Sequence, residues 1–185
     1  MEPVVICHPV RTPVGGFMGS LAAMPADELA TVVVREAARR GNLVEGDVDD
    51  VILGRVSYTE WAGYFPTSND PFADFINPVN KHVASRTLQD PLEWNNSTVI
   101  GADLLDFVRE LKHGEGGEIS VNGISVIRQL LDAGLLDTLT LTVHPVLVGQ
   151  GRRLFDELAE PFRLDLVDSQ ITSVGNAMLT YAKHA

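Results

Sequence analysis

Short apolar runs alternate along the chain with stretches in which apolar residues recur every three or four positions. The β-branched run 4–6 predicts a strand, which a loop rich in Pro and Gly separates from a helix that ends at Gly41. A second apolar run, 50–53, predicts another strand, and 55–64 is predicted to be the helix that follows it. The first third of the chain therefore predicts two strand-then-helix units.

The rest of the chain repeats the strand-then-helix order and then finishes with strands alone. Its predicted elements are, in sequence order, a loop at 67–80, strands at 81–85 and 98–100, a helix on Leu104, Val108 and Leu111, a strand at 118–121, and a helix on Ile124, Ile127, Leu130 and Leu131. Strict alternation at 139–143 and 162–166, followed by an apolar stretch near Leu179, predicts antiparallel strands. We therefore expect an α/β sandwich, with a mostly parallel central sheet, helices on both faces and an antiparallel C-terminal edge.

Composition narrows the class of protein. With 185 residues, of which 45% are hydrophobic and 21% charged, the chain is expected to form one globular domain spanning 1–185. The net charge of −11 repels phosphate backbones and anionic headgroups, so neither nucleic acid nor a membrane is an expected partner. Cys7 is the only cysteine, which excludes an internal disulfide and a zinc site made of several thiolates. Because the start lacks leader-like features and no apolar run reaches about 18 residues, we expect a cytoplasmic protein.

Residues able to bind a phosphate follow several predicted strands, at the carboxyl ends where open parallel sheets bind their ligands. The four segments begin at Gly54, Ser85, Asn122 and Gly149. A glycine between a strand and a helix lets a phosphate approach free backbone N–H groups, which favours Gly123 as a pyrophosphate contact. Arg55 and Arg86 are able to hold a 2′-phosphate through bidentate contacts. An ordinary turn at Gly123, and plain surface arginines at the other two positions, stay open as alternatives.

Three segments of the chain resemble one known family. They are LGRVSYTEW at 53–61, VASRTL at 83–88 and LDAGLLDTLTLTVHPVLVGQGRRLF at 131–155. Together they make 53–185 similar to the C-terminal reductase domain of riboflavin biosynthesis (RibD) and its stand-alone relatives. The resemblance implies a dihydrofolate-reductase-like three-layer sandwich, NADPH as cofactor, a small heterocyclic, pterin-like or pyrimidinone substrate, and a homodimer.

The resemblance also implies which residues bind the cofactor. They are Gly54, Arg55 and Ser57 after the first matching strand, Ser85, Arg86 and Thr87 near the 2′-phosphate, and Gly123, Ile124 and Ser125 at the pyrophosphate. Trp61, Gly149 and Gly151 are candidate substrate residues. Aromatic residues at the spacing of Trp61, Phe72 and Phe75 are more often core than pocket wall, so that alternative stays open.

The beginning of the chain resembles a different family. The segments VRTPVGGFMGSL at 10–21, PADEL at 25–29 and VDDVILG at 48–54 are similar to the amino-terminal end of the thiolases. The thiolase nucleophile segment, with its Cys in a Ser-Gly context, does not occur in this chain, and Cys7 precedes the matching motif. A thiolase activity is therefore not expected, and a small buried hydrophobe is the favoured interpretation of Cys7.

The two resemblances together suggest a chimera in which 1–53 supplies the first strand, loop, helix and strand of a reductase fold. In the reductase family the loop after the first strand closes over the nicotinamide, and here 8–24 replaces it. Two hypotheses follow: an NADPH-dependent reductase whose turnover is impaired by the replaced segment, or a non-catalytic chimeric scaffold.

Two further kinds of site concern a histidine and three loop carboxylates. His144, beside Pro145 at the end of an alternating strand, is able to donate a proton, although a hydrogen-bonded structural histidine is the more frequent case. The loop carboxylates Asp70, Asp74 and Asp90 have no His partner at metal-ligand spacing, so no metal site is predicted.

Overall fold

The computed structural model describes residues 48–69, 71–147, 153–155, 161–172 and 175–184. Its elements are β1 (Val48–Gly54), α1 (Arg55–Ala62), a 3₁₀ turn (Phe65–Thr67), α2 (Pro71–Ile76), β2 (Asn80–Ala84), β3 (Ser97–Val99), α3 (Leu104–His113), β4 (Glu118–Asn122), α4 (Ile124–Asp132), β5 (Thr138–Val143), β6 (Leu164–Ile171) and β7 (Ala177–Lys183). The predicted strand at 4–6 and the helix that ends at Gly41 lie outside the described residues.

Four strands form a parallel sheet in the order β3-β2-β1-β4. β1 lies between two partners, so that Leu53 pairs with Val83 on one side and with Asn122 on the other. Because every pairing is parallel, the carboxyl ends of these strands lie at one edge of the sheet, and each is followed directly by a helix or a loop. The predicted mostly parallel central sheet is confirmed.

The end of the chain forms an antiparallel sheet, as predicted, in the order β5-β7-β6. The Thr140 and Thr180 hydroxyls, which face each other across β5 and β7, are buried and lie 2.9 Å apart. Within the described residues these strands form a separate three-stranded sheet rather than extending the parallel one. β6 is also longer than the 162–166 strand that alternation predicted, and it contains a register shift between Leu166 and Asp168.

The core lies on both faces of the parallel sheet, because successive residues of a strand point to opposite sides. From β1, Ile52 joins an aliphatic cluster with residues of α4, while Val51 and Leu53 join an aromatic cluster with residues of α1 and α2. Leu139 extends the aliphatic cluster to β5, which packs the antiparallel sheet against the same core. Strands with apolar residues on both faces are typical of a sheet covered by helices on each side.

The prediction of a loop at 67–80 is wrong in part, because this segment contains α2. Pro71 stands at its first turn, and Phe72, Ala73 and Ile76 are buried in the aromatic cluster. Phe72 and Ile76 are four residues apart, on one face of the helix, so their burial stabilises a short helix that Asn, Asp and Pro obscure in the sequence.

Lys81 on β2 is fully buried beside α2. Its Nζ donates hydrogen bonds to the carbonyl oxygens of Ile76 at 3.0 Å, Asn77 at 3.0 Å and Val79 at 2.6 Å, and it lies 4.5 Å from the centre of the Trp94 ring. A cation there stabilises the carbonyl groups at the end of the helix. Burial lowers the pKa of Lys81 to about 8.

Candidate functional site

Three of the segments predicted to bind a ligand meet at the carboxyl edge of the parallel sheet. Gly54 pairs with Ala84, the residue before Ser85, and Leu53 pairs with Asn122, the residue before Gly123. The ends of β2, β1 and β4 therefore lie side by side. All nine residues named as cofactor contacts lie at or just after these three strand ends: Gly54, Arg55, Ser57, Ser85, Arg86, Thr87, Gly123, Ile124 and Ser125.

Gly54 and Gly123 approach each other closely at the centre of this edge. A Cβ atom at Gly123 would lie 3.1 Å from the Gly54 nitrogen and 3.2 Å from its Cα, so a side chain there would displace the Gly54 backbone. Gly123 also has a φ of +123°, a conformation that residues with side chains rarely adopt. The sequence at this point thus needs glycine for backbone geometry, and the result is a close approach of two backbones with no side chain between them.

Two helices begin at this close approach. Gly54 is the N-cap of α1 and Gly123 is the N-cap of α4, and neither helix start has a side-chain cap. The Gly123 carbonyl accepts the first helical hydrogen bonds of α4, from the nitrogens of Val126 at 3.1 Å and Ile127 at 2.9 Å. The N–H groups that precede them have no partner within the helix. Uncapped N–H groups at the positive ends of two helices are the arrangement that binds phosphate in many proteins.

A hydrogen bond joins the two helix starts through their side chains. The Ser57 hydroxyl, in the first turn of α1, donates to Oδ1 of Asn122 at 3.0 Å. Both side chains are half-buried. Asn122 was not among the residues singled out as cofactor contacts, although its place immediately before Gly123 is visible in the sequence. This bond joins the end of β4 to the first turn of α1.

The loop after β2 supplies a cation at the same edge. Ser85 Oγ accepts hydrogen bonds from the backbone nitrogens of Thr87 at 3.1 Å and Leu88 at 3.0 Å, so this side chain shapes the loop. Arg86 and Thr87 are exposed, as is Arg55 at the start of α1. The edge therefore carries two solvent-accessible guanidinium groups beside the uncapped helix starts.

The comparisons with known proteins show the family. The family of the RibD C-terminal domain matches residues 32–179, which is most of the chain. The chain belongs to the RibD C-terminal domain family. The match begins well before Leu53, so it also covers part of the segment that resembles thiolases.

Three individual similarities stand beside the family match. The uncharacterized protein YyaP of Bacillus subtilis is 30% identical over 140 residues, which are 72% of this chain and 73% of YyaP. A pyrimidine reductase-like protein from Corynebacterium diphtheriae has a TM-score of 0.63 at 16% identity, over 100% of this chain and 93% of its own, and so shows the fold. An acetyl-CoA acetyltransferase of Pseudomonas aeruginosa is 50% identical over only 56 residues, 30% of this chain and 14% of that enzyme.

Within the described residues, the candidate substrate residues of this RibD-type domain are not found together at the carboxyl edge of the sheet. Trp61 is 5% exposed and contacts the rings of Phe65 and Phe72 edge-on, at 5.5 Å and 6.3 Å between centroids. It therefore lies in the aromatic core, the alternative that its spacing left open. Phe72 is buried in the same cluster and Phe75 packs against it. Gly149 and Gly151, like the replaced loop 8–24, lie outside the described residues.

His144 follows β5. Its Nε2 atom is buried and, within the described part of the chain, has no hydrogen-bond partner. Burial lowers the pKa of His144, because the imidazolium form loses hydration there. Burial thus favours the neutral form of the ring, and its role as a proton donor stays a prediction.

The described residues contain neither a metal-binding cluster nor a membrane-spanning helix. No group of three or more His, Cys, Asp or Glu side chains in this part is placed to hold a metal ion. None of its helices is both long and apolar enough to cross a membrane.

Proposed function

We propose that this chain is an NADPH-dependent reductase of the RibD C-terminal type that acts in the cytoplasm on a small heterocyclic, pterin-like or pyrimidinone substrate. The observation that carries the proposal is the close approach of Gly54 and Gly123 between two uncapped helix starts. Family membership supports the same reaction class.

The residues at this edge fit a dinucleotide phosphate. A pyrophosphate needs backbone N–H groups and no side chain between them and the ligand, and Gly123 with its positive φ meets that requirement. Ile124 and Ser125, which follow it at the start of α4, would contribute their N–H groups.

The two arginines fit the extra phosphate that distinguishes NADPH from NADH. Arg55 and Arg86 are both exposed and follow neighbouring strands, so their guanidinium groups would pair with a 2′-phosphate. Ser85 would act by shaping the loop that presents Arg86 and Thr87. Because the net charge of −11 repels anions, binding a phosphate requires local cations such as these two arginines.

When bound, the reduced nicotinamide supplies the hydride for the reaction. The protein then has to orient the two reactants and keep water out. In the reductase family a loop after the first strand performs part of that task, and 8–24 stands in its place here. The changed sequence is therefore expected to affect turnover more than cofactor binding, because the proposed cofactor residues all follow segment 8–24 in the chain.

The alternative is a chimeric scaffold without a substrate, folded as one domain in which 1–53 comes from a thiolase. The short, 50% identical match to an acetyltransferase favours this origin for the beginning of the chain. A scaffold of this kind would keep the fold of the RibD-type domain, and its site would bind nothing.

A calorimetric NADPH titration, followed in parallel by the fluorescence of buried Trp94, tests the proposal. We expect saturable binding, with NADH weaker than NADPH. NADPH oxidation would then be assayed across a panel of pterins and pyrimidinones. No saturable change at millimolar NADPH would contradict the proposal, and binding without turnover on any substrate would favour impaired catalysis by the replaced loop.

We also propose that two copies of the chain associate. β6 is an edge strand of the antiparallel sheet, and its apolar side chains Leu166, Val167 and Ile171 are 55%, 57% and 69% exposed. Apolar residues grouped on an exposed edge favour an interface with a second copy, because an unpaired edge otherwise promotes uncontrolled aggregation.

A further inference from the structure

The Ser57 hydroxyl has a single proton, and that proton is directed at Asn122. Ser57 Oγ and Asn122 Oδ1 are 3.0 Å apart, and the only hydrogen that this pair offers to the bond is the one on the serine. While the bond is present, Ser57 is able to accept hydrogen bonds but has none to donate to a phosphate. A direct donor role for Ser57 at the cofactor is therefore in conflict with the geometry.

The same bond fixes the other half of the Asn122 amide. With Oδ1 held by Ser57, the two N–H donors on Nδ2 are directed away from it, and no described residue accepts a hydrogen bond from them. Asn122 is half-buried, so its side chain is partly accessible. The two N–H donors of a side-chain amide suit a phosphate oxygen, and the amide stays neutral at every ordinary pH.

The position of Asn122 places these donors at the centre of the site. Asn122 ends β4, pairs with Leu53, and directly precedes Gly123, where α4 begins. The side chain therefore lies between the starts of α1 and α4, where both helix dipoles favour an anion.

We propose that Asn122 is a cofactor-binding residue whose side-chain amide donates to the pyrophosphate, and that Ser57 is a positioning residue which orients it. This inference rests on the proposed function. It assigns the cofactor contact to Asn122 instead of Ser57, the residue for which the family resemblance implied it.

Two substitutions at Asn122 separate its donors from its contact with Ser57. Asn122→Asp keeps an oxygen for the Ser57 hydroxyl but replaces the donors with a carboxylate that repels phosphate. Asn122→Ala removes both functions without adding charge. Because a hydrogen bond to a charged group contributes about tenfold to a hundredfold in affinity, we expect Asn122→Ala to weaken NADPH binding by roughly tenfold and Asn122→Asp by more.

Substitutions at Ser57 test the positioning role. Ser57→Ala leaves Asn122 free to rotate, so we expect a smaller loss of NADPH affinity, on the order of threefold, than Asn122→Ala causes. Ser57→Thr retains the hydroxyl and should restore affinity close to that of the wild type. If Ser57 were a direct donor instead, Ser57→Ala would be the more damaging of the two alanine variants.

The experiment measures NADPH dissociation constants by calorimetry for the wild type and the four variants, together with their melting temperatures. Adenosine 2′-phosphate, which has no pyrophosphate, serves as a second ligand whose affinity the Asn122 variants should leave unchanged. Weaker NADPH binding at an unchanged melting temperature supports the inference. NADPH binding within twofold of the wild type in folded Asn122→Ala and Asn122→Asp overturns it, while the proposed function survives. No NADPH binding by the wild type itself overturns both.

Discussion

Gly123 lies so close to Gly54 that a Cβ atom on Gly123 would stand 3.1 Å from the Gly54 nitrogen. The two residues end neighbouring parallel strands, β1 and β4, and each begins a helix. Their contact therefore sets the distance between two helix starts. Any side chain at Gly123 would separate them and occupy the place proposed for the phosphate.

Gly123→Ala is expected to lower both stability and cofactor affinity. A φ of +123° is strained for alanine, and the added methyl group would press on Gly54, so we expect a loss of about 1–3 kcal/mol in the free energy of unfolding. NADPH affinity should fall by at least about tenfold, since one helix start would move. Urea unfolding and calorimetry measure the two effects.

Gly101→Ala is the matched control, because Gly101 follows β3 in the same parallel sheet and has no atom within 4 Å of its Cβ position. We expect a change in unfolding free energy of no more than about 0.5 kcal/mol, and unchanged NADPH affinity. Equal effects of the two alanines would contradict the special role of the Gly54–Gly123 contact.

The two exposed arginines should decide between NADPH and NADH. Arg55→Ala and Arg86→Ala each remove a guanidinium from the proposed 2′-phosphate site, so NADPH affinity should fall about tenfold while NADH affinity changes little. The ratio of the two dissociation constants is the measurement. Arg109→Ala is the control, because Arg109 lies on α3 and pairs with Asp106 at 2.6 Å. A parallel loss for both cofactors would refute 2′-phosphate recognition.

Lys81 should make stability rise with pH in the alkaline range. Its pKa is lowered by burial from 10.5 to about 8, so between these values the folded protein has lost the proton that the unfolded chain retains. The unfolded state then binds more protons, and the free energy of unfolding increases as the pH rises. Across the whole interval the gain is about 3 kcal/mol, and below pH 8 the contribution is constant.

The pH dependence is isolated by comparison with Lys81→Met. That variant leaves the carbonyls of Ile76, Asn77 and Val79 without their donor, so it is expected to be less stable than the wild type by about 1–3 kcal/mol at pH 7. The difference in urea unfolding free energy between the two proteins should widen from pH 8 to pH 10. A difference that is the same at both pH values would show that Lys81 titrates normally.

The position of the candidate site could be predicted from the sequence because topology brings it together. Parallel strands place Gly54, Ser85 and Gly123 at one edge whatever the details of packing. The Ser57–Asn122 bond joins residues 65 positions apart, and its existence depends on the register between β1 and β4, which a single sequence does not reveal.

Features that depend on tertiary burial were also beyond the sequence. Nothing local distinguishes Lys81 from an exposed strand lysine, because the acceptors of its ammonium group come from the end of a helix that was itself predicted to be a loop. That helix, α2, forms because Phe72 and Ile76 are buried in the aromatic cluster. Trp61 was open to two interpretations for the same reason, since its contacts with Phe65 and Phe72 are tertiary.

Association of two copies through β6 is the last prediction. Val167 is 57% exposed and lies at the register shift of β6, so it has no residue opposite it on β7. Val167→Lys would place a charge on the apolar edge without disturbing the core, and lysine on an edge strand opposes pairing. Wild-type protein should elute with twice the mass of one chain in light scattering, and Val167→Lys with the mass of one.

Thr98→Lys provides the matched control for that experiment. Thr98 is exposed on β3, an edge strand of the parallel sheet, so the variant adds the same charge to a different edge. It should remain a dimer and melt at the wild-type temperature, whereas Val167→Lys should still unfold cooperatively, at the temperature of a monomer. A wild type with the mass of one chain would contradict the dimer, and a dimeric Val167→Lys would place the interface elsewhere than on β6.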